Sequence, residues 1–150
     1  MKHVLFIDVR NTTRSQIAEA WLNHLSTGFA EARSCGTMPQ SRVDGRAIQV
    51  MKEVGINIRS KRPQPISQQL MNWADIVVIL GTGIYPRAFT PTHIWDFEDP
   101  MGKPIEKVRI LRDEIRSSVE GLLLEIFRQD LALVDLNQIL PAYLQQAWID

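Results

Sequence analysis

Short, continuous apolar runs alternate along this chain with longer stretches in which apolar residues recur every three or four positions. His3-Val-Leu-Phe-Ile-Asp8 is of the first kind and predicts a buried strand. Ser15 to Leu25 is of the second, with Ile17, Ala18, Ala20, Trp21, Leu22 and Leu25 forming one helical stripe. Ala30 to Cys35 predicts a second strand, ending at Gly36. Asp44 to Val54 predicts a helix stopped by Gly55, its face carrying Ala47, Ile48, Met51 and Val54. Pro65 to Trp73 suggests a short helix with Ser67 near its start. Asp75-Ile-Val-Val-Ile-Leu80 is the clearest strand, followed by Gly81 and Gly83 as the turn, and Thr92 to Phe97 predicts another. From Pro104 to about Gln129 the apolar positions Ile105, Val108, Leu111, Ile115, Val119, Leu122, Leu123 and Ile126 describe one long helix. Strands alternating with helices imply parallel pairing and an α/β sheet covered on both faces.

The chain has 150 residues, enough for one domain with a core of its own. Its 17 Lys and Arg balance 17 Asp and Glu, so no global field attracts nucleic acid or an anionic membrane, although a local patch stays open. One cysteine, Cys35, excludes an internal disulfide framework and a four-thiolate zinc site. The apolar run at the N-terminus is too short for a signal peptide, and no stretch has the length of a membrane span. The expectation is a soluble, cytoplasmic protein with no cofactor. His3, His24 and His93 are scattered and offer no zinc spacing. Trp21, Trp73 and Trp95 fall in helical or strand patterns and read as core, and Cys35 reads as a buried, inert thiol. Residues 130–150 stand apart as an apolar extension interrupted by Pro141. That extension either packs back on the domain or covers a protein partner or a second copy of the chain.

The informative segment is Asp8-Val-Arg-Asn-Thr-Thr-Arg-Ser15. A loop leaving the carboxyl end of a parallel strand and entering a helix aims backbone N–H groups and the helix dipole at one point, a cradle for an oxyanion such as phosphate or sulfate. Arg14 adds a planar fork of donors suited to such oxygens. The competing reading is an ordinary connection in which Thr12 or Thr13 caps the helix and Arg14 is a surface charge.

Several motifs in order carry a resemblance. Val4-Leu-Phe-Ile7 followed by Asn11-x-x-Arg14-Ser-Gln-Ile-Ala-Glu-Ala20 is similar to the first strand and phosphate loop of the low-molecular-weight protein tyrosine phosphatases and the thioredoxin-coupled arsenate reductases that share their fold. Ser34-Cys-Gly-Thr37, Met51-Lys-Glu-Val-Gly-Ile56, Ala74-Asp-Ile-Val-Val78, His93-Ile-Trp95, Phe97-Glu-Asp-Pro100 and Leu111-Arg-Asp-Glu-Ile115 follow in that family's order. The resemblance covers residues 1–129. It implies a flavodoxin-like, three-layer α/β fold with a four-stranded parallel sheet of order 2-1-3-4; residues 130–150 have no counterpart in it and are expected to add a C-terminal helical extension.

It also implies roles. The family's phosphate loop holds a nucleophilic cysteine, five intervening residues and an arginine. Here Asp8 occupies the cysteine's place, Arg14 stands six residues on, and Val9, Arg10, Asn11, Thr12, Thr13 and Ser15 complete the loop. Arg10 replaces a loop glycine. Asp99 matches the acid that protonates the leaving oxygen, and Asn11 and Ser34 match residues that hold the loop in shape. Asn11, Glu19 and Ser34 match part of a potassium site found in some arsenate reductases, but Gln64 stands near its acidic ligand, and no potassium is expected. Tyr85 lies in the loop region where the phosphatases carry specificity residues. With one thiol, the family's intramolecular disulfide relay has no second sulfur. A carboxylate is a poor nucleophile towards phosphorus unless a metal screens the charge. The expectation is therefore a non-catalytic binding or regulatory relative whose cradle is filled by Asp8. Charge-assisted bonds, helped by Arg14 or Arg10, would hold its pKa low. A phosphoryl-transfer enzyme using Asp8 with a divalent metal is the alternative.

Overall fold

The computed structural model describes residues 1–81 and 93–132. In chain order these contain strand β1 (Lys2–Asp8), helix α1 (Arg14–Leu25), β2 (Ala30–Gly36), α2 (Gly45–Glu53), α3 (Gln68–Trp73), β3 (Ile76–Leu80), β4 (His93–Trp95) and α4 (Ile105–Ala132). The four strands form one parallel sheet of order β2-β1-β3-β4, as the resemblance implied.

Strand periodicity divides the core. Val4 and Phe6 of β1 face α1, α2 and α4, packing with Ile17, Trp21, Ile115 and Ile126. Leu5 and Ile7 point to the other side, against Leu70 of α3, Val77, Ile79 and Cys35. Three layers result, because a sheet buried on both faces needs helices on each. Trp21 is buried and its indole N–H donates to the Arg112 carbonyl at 3.0 Å, whereas Trp73 and Trp95 are only half-buried.

Local chemistry sets the element ends. Asp44 and Ser67 cap α2 and α3, their side chains accepting from the N–H groups of Arg46 and Leu70. Gly55, at φ 83°, ends the α2 turn in the left-handed region that glycine adopts freely. Strand β4 is shorter than the apolar pattern predicts. Past Trp95 the chain turns back, with the Phe97 N–H donating to the Trp95 carbonyl, so Phe97 leaves the ladder. Gly83, Tyr85 and Thr92 lie outside the described residues, as does the chain beyond Ala132, with most of the apolar extension. No described helix is long and apolar enough to cross a membrane.

Strand order reverses between β1 and its two neighbours. The crevice at the carboxyl end of β1 is thus the topological position where such sheets bind ligands, and the 9–13 loop leaves from it.

Candidate functional site

The loop is shaped from outside by the segment after β2. The carbonyls of Asp8, Val9, Arg10 and Thr12 accept from the N–H groups of Thr37, Met38, Gln40 and Asp44 at 2.7–3.1 Å. Gly36 makes this approach feasible: a Cβ there would lie 2.6 Å from the Val9 carbonyl oxygen and 3.0 Å from the Asn11 nitrogen. Asn11 holds the bend at φ 55°, a left-handed conformation tolerated by asparagine. Its side-chain amide donates to the hydroxyls of Ser15 (2.7 Å) and Ser34 (3.0 Å), and its Oδ1 accepts the Gln64 N–H at 3.0 Å. Gln16 Nε2 donates to the Asn11 carbonyl, and Ser34 donates onward to Glu19. Asn11 and Ser34 thus stand together under the loop.

The space above is occupied by the chain itself. Asp8 is 2% exposed; its Oδ1 accepts the Asn11 N–H at 2.7 Å and its Oδ2 accepts the Ser15 N–H at 2.9 Å. The second bond answers an orphan donor in the first turn of α1, so a carboxylate seven residues upstream does the work of a helix cap. Thr13 sits at the cap position but makes no side-chain capping bond; its hydroxyl donates to Asp44 Oδ2 at 2.9 Å. The competing reading, with Thr12 or Thr13 as the cap and Arg14 as a surface charge, is corrected on both points: Asp8 supplies the acceptor and Arg14 is buried.

Neither arginine bonds Asp8. Arg10 donates to Asp99 Oδ1 at 2.5 Å, joining the loop to the 97–100 segment, and Arg14, itself 6% exposed, donates to the Phe97 carbonyl at 3.0 Å. The expected depression of the Asp8 pKa is also corrected. Burial pushes this carboxyl above its ordinary value, outweighing the Ser15 and Asn11 donors and the Arg14 charge that act to lower it. The volume left for a water-sized body between Asp8, Arg10, Thr12, Thr13, Arg14, Asp99 and Pro100 is ≈ 0 Å³. Burial also raises the Asp99 carboxyl, but the Met101 N–H and Arg10 more than offset this and hold it below the usual range. Cys35 is buried between β1 and α3, and desolvation followed by the Asp8 charge pushes its thiol up to about 12. Among the described residues no three His, Cys, Asp or Glu side chains gather where they could hold a metal ion.

Asp44 is a site residue that motif reading missed. It caps α2, accepts from Thr13 and pairs with Arg46, which also donates to the Pro100 and Lys103 carbonyls. Its position before a helical stripe signals the cap, but nothing in the sequence signals the bond to the loop. Burial raises its carboxyl, yet Arg46 and Thr13 together hold it below its ordinary 3.8. Asp44→Asn is expected to cost about 1 kcal/mol near neutral pH. Because the folded-state pKa is lowered, that contribution is present above pH 3.8 and fades as pH falls through the folded value. Urea melts across this range check it: the gap to wild type should close on the acid side.

Fold and loop together define a doubly covered parallel α/β protein in which the loop after the first strand turns backbone N–H groups onto Asp8 at that strand's carboxyl end. The chain belongs to the low molecular weight phosphotyrosine protein phosphatase family, whose model matches residues 3–132. It is 37% identical over 131 residues to the glutaredoxin arsenate reductase of Synechocystis, covering 84% of this chain and 99% of that protein. It is 34% identical over 126 residues to an arsenate reductase of Staphylococcus epidermidis, covering 80% and 95%. A solved arsenate reductase in its phosphate-binding state superposes with a TM-score of 0.78 at 34% identity, covering 84% of this chain and 99% of the other. The YwlE arginine phosphatase of Geobacillus stearothermophilus superposes with 0.77 at 25%, covering 90% and 99%.

Proposed function

We propose that this chain is a non-catalytic member of its family, a binding or regulatory protein whose phosphate loop is filled by its own Asp8. The observation that carries the reading is the pair of bonds from the Asn11 and Ser15 N–H groups to the two Asp8 oxygens. Donors that would otherwise face an oxyanion are satisfied internally. In this reading Asp8 stands where the family has its attacking cysteine, and Arg10, in place of a loop glycine, closes the entrance by pairing with Asp99. Asp99, engaged in that pair and held in its ionised form, is poorly suited to protonating a leaving oxygen. The single thiol is buried and protonated, so arsenate reduction through a relay of protein thiols has no starting nucleophile. A metal-assisted attack by Asp8 would first need room for the metal and the phosphoryl group, which Arg10, Arg14 and Asp99 now fill.

Turnover of p-nitrophenyl phosphate tests the reading. The wild-type protein should release no nitrophenolate above the buffer rate, with or without magnesium. Asp8→Cys combined with Arg10→Gly should restore measurable release, since a thiolate would then face an open cradle. Magnesium-dependent wild-type turnover that Asp8→Ala abolishes, or beryllofluoride trapped on Asp8, would overturn it.

A further inference from the structure

Five described arginines meet a carboxylate: Arg10 with Asp99, Arg46 with Asp44, Arg109 and Arg112 with Glu53, Arg116 with Glu120. Arg14 and Arg33 instead meet the Phe97 carbonyl and the Trp73 ring. A group of cations without such partners lies elsewhere. Arg42, Arg59, Lys61 and Arg62 border a single groove of about 420 Å³ whose floor includes Val43 and Ile48. Among the described residues the Arg42 and Arg59 guanidinium groups meet no carboxylate, and Arg62 donates only to the carbonyls of Arg59 and Lys61. Lys61 reaches Glu19 at 3.4 Å, the one acid matched to the cluster among the described residues. Four cations against one carboxylate, in a chain of zero formal charge, amount to a concentrated local field. The sequence shows half of it as the run Arg59-Ser-Lys-Arg62; the fold brings Arg42 to it from a separate segment.

We propose that this groove binds an acidic polypeptide segment of a partner protein, with carboxylates on the arginines and an aliphatic side chain on the Val43–Ile48 floor. Arginine forks match carboxylates bidentately, and apolar floors with charged rims are the usual anatomy of peptide grooves. The lining has no aromatic side chain on which a base could stack, and this favours a peptide over a single-stranded nucleic acid. Residues 37–44 join the groove to the loop through the Met38–Val9 and Asp44–Thr12 bonds, so a bound segment lies beside the Asp8 site. The inference does not depend on whether Asp8 is catalytic.

Fluorescence anisotropy with the full chain and a labelled short peptide alternating glutamate and leucine tests it. Binding should weaken at least about tenfold between about 20 mM and about 200 mM salt. The double variant Arg42→Glu with Arg59→Glu should bind about tenfold or more weakly, while Arg116→Glu on α4 binds as wild type. Arg42→Gln with Arg59→Gln, which leaves polar side chains on both exposed positions, should give an intermediate loss; thermal melts establish that each variant is folded. No binding, equal loss in Arg116→Glu, or tighter binding of a labelled oligothymidylate than of the peptide would overturn the proposal.

Discussion

Asp8→Ala should convert a protein indifferent to phosphate into one stabilised by it. In phosphate-free buffer the variant loses both acceptor oxygens, and the buried Asn11 and Ser15 N–H groups are left to whatever water enters the vacated space. Each unsatisfied donor costs about 1–3 kcal/mol, partly offset by relief from burying a carboxyl group, so a net loss of about 2 kcal/mol is expected. Added phosphate or sulfate would then occupy the cradle and return about 2.7 kcal/mol at a hundredfold excess over its Kd. Thermal melts with and without phosphate, at matched ionic strength, read this directly. Wild type should shift no more than it does in chloride; an equal phosphate shift in both proteins would show that Asp8 does not block the site. The pH dependence has a definite sign. The Asp8 pKa is raised on folding, so its contribution is fully present below its ordinary 3.8 and lost as pH rises through the folded value. The gap between wild type and variant should narrow towards alkaline pH.

Gly36→Ala is expected to be among the most damaging single changes outside the hydrophobic core. The new methyl group would meet backbone on three sides: the Val9 carbonyl oxygen at 2.6 Å, the Asn11 nitrogen at 3.0 Å and the Arg10 carbonyl carbon at 3.1 Å. Backbone held by the Thr37, Met38 and Gln40 donors cannot swing aside as a flexible side chain would. A cost of about 2–3 kcal/mol follows, a fall in Tm of about 5–10 °C. Faster hydrogen exchange at Met38 and Gln40 should accompany it. Gly121, inside α4, provides the contrast. A Cβ there meets nothing within 4 Å, so Gly121→Ala should gain about 0.5–1 kcal/mol of helix propensity. Equal effects at the two positions would mean that the close approach does not govern loop shape.

The fold was legible because its signals are local. Val4 to Ile7 and Ile76 to Leu80 are β-branched or aromatic runs too short for helices, and the long stripe from Val108 to Ile126 keeps one face through many turns. The place of the candidate loop in the fold was legible for a similar reason, since a strand, a polar loop and an arginine at a helix start form one contiguous stretch. What stayed hidden is everything that depends on segments distant in sequence. Arg10 meets Asp99 and Arg14 meets the Phe97 carbonyl across more than eighty residues, which no spacing rule anticipates. The protonation of Asp8 was read with the wrong sign because donors can be counted from a motif, whereas the depth of burial that outweighs them is a property of the packed layers. Asp44 was read as a helix start, and its bond to Thr13 appears only once α2 lies beside the loop.

A loop that carries its counter-ligand as part of its own chain answers to no supply. If Asp8 fills the loop as proposed, its contour would stay the same in a phosphate-starved cell and a replete one, because the occupant is tied to the chain. For a surface that another protein must recognise, such constancy is an asset. On the proposed reading, this chain would offer that partner one fixed shape.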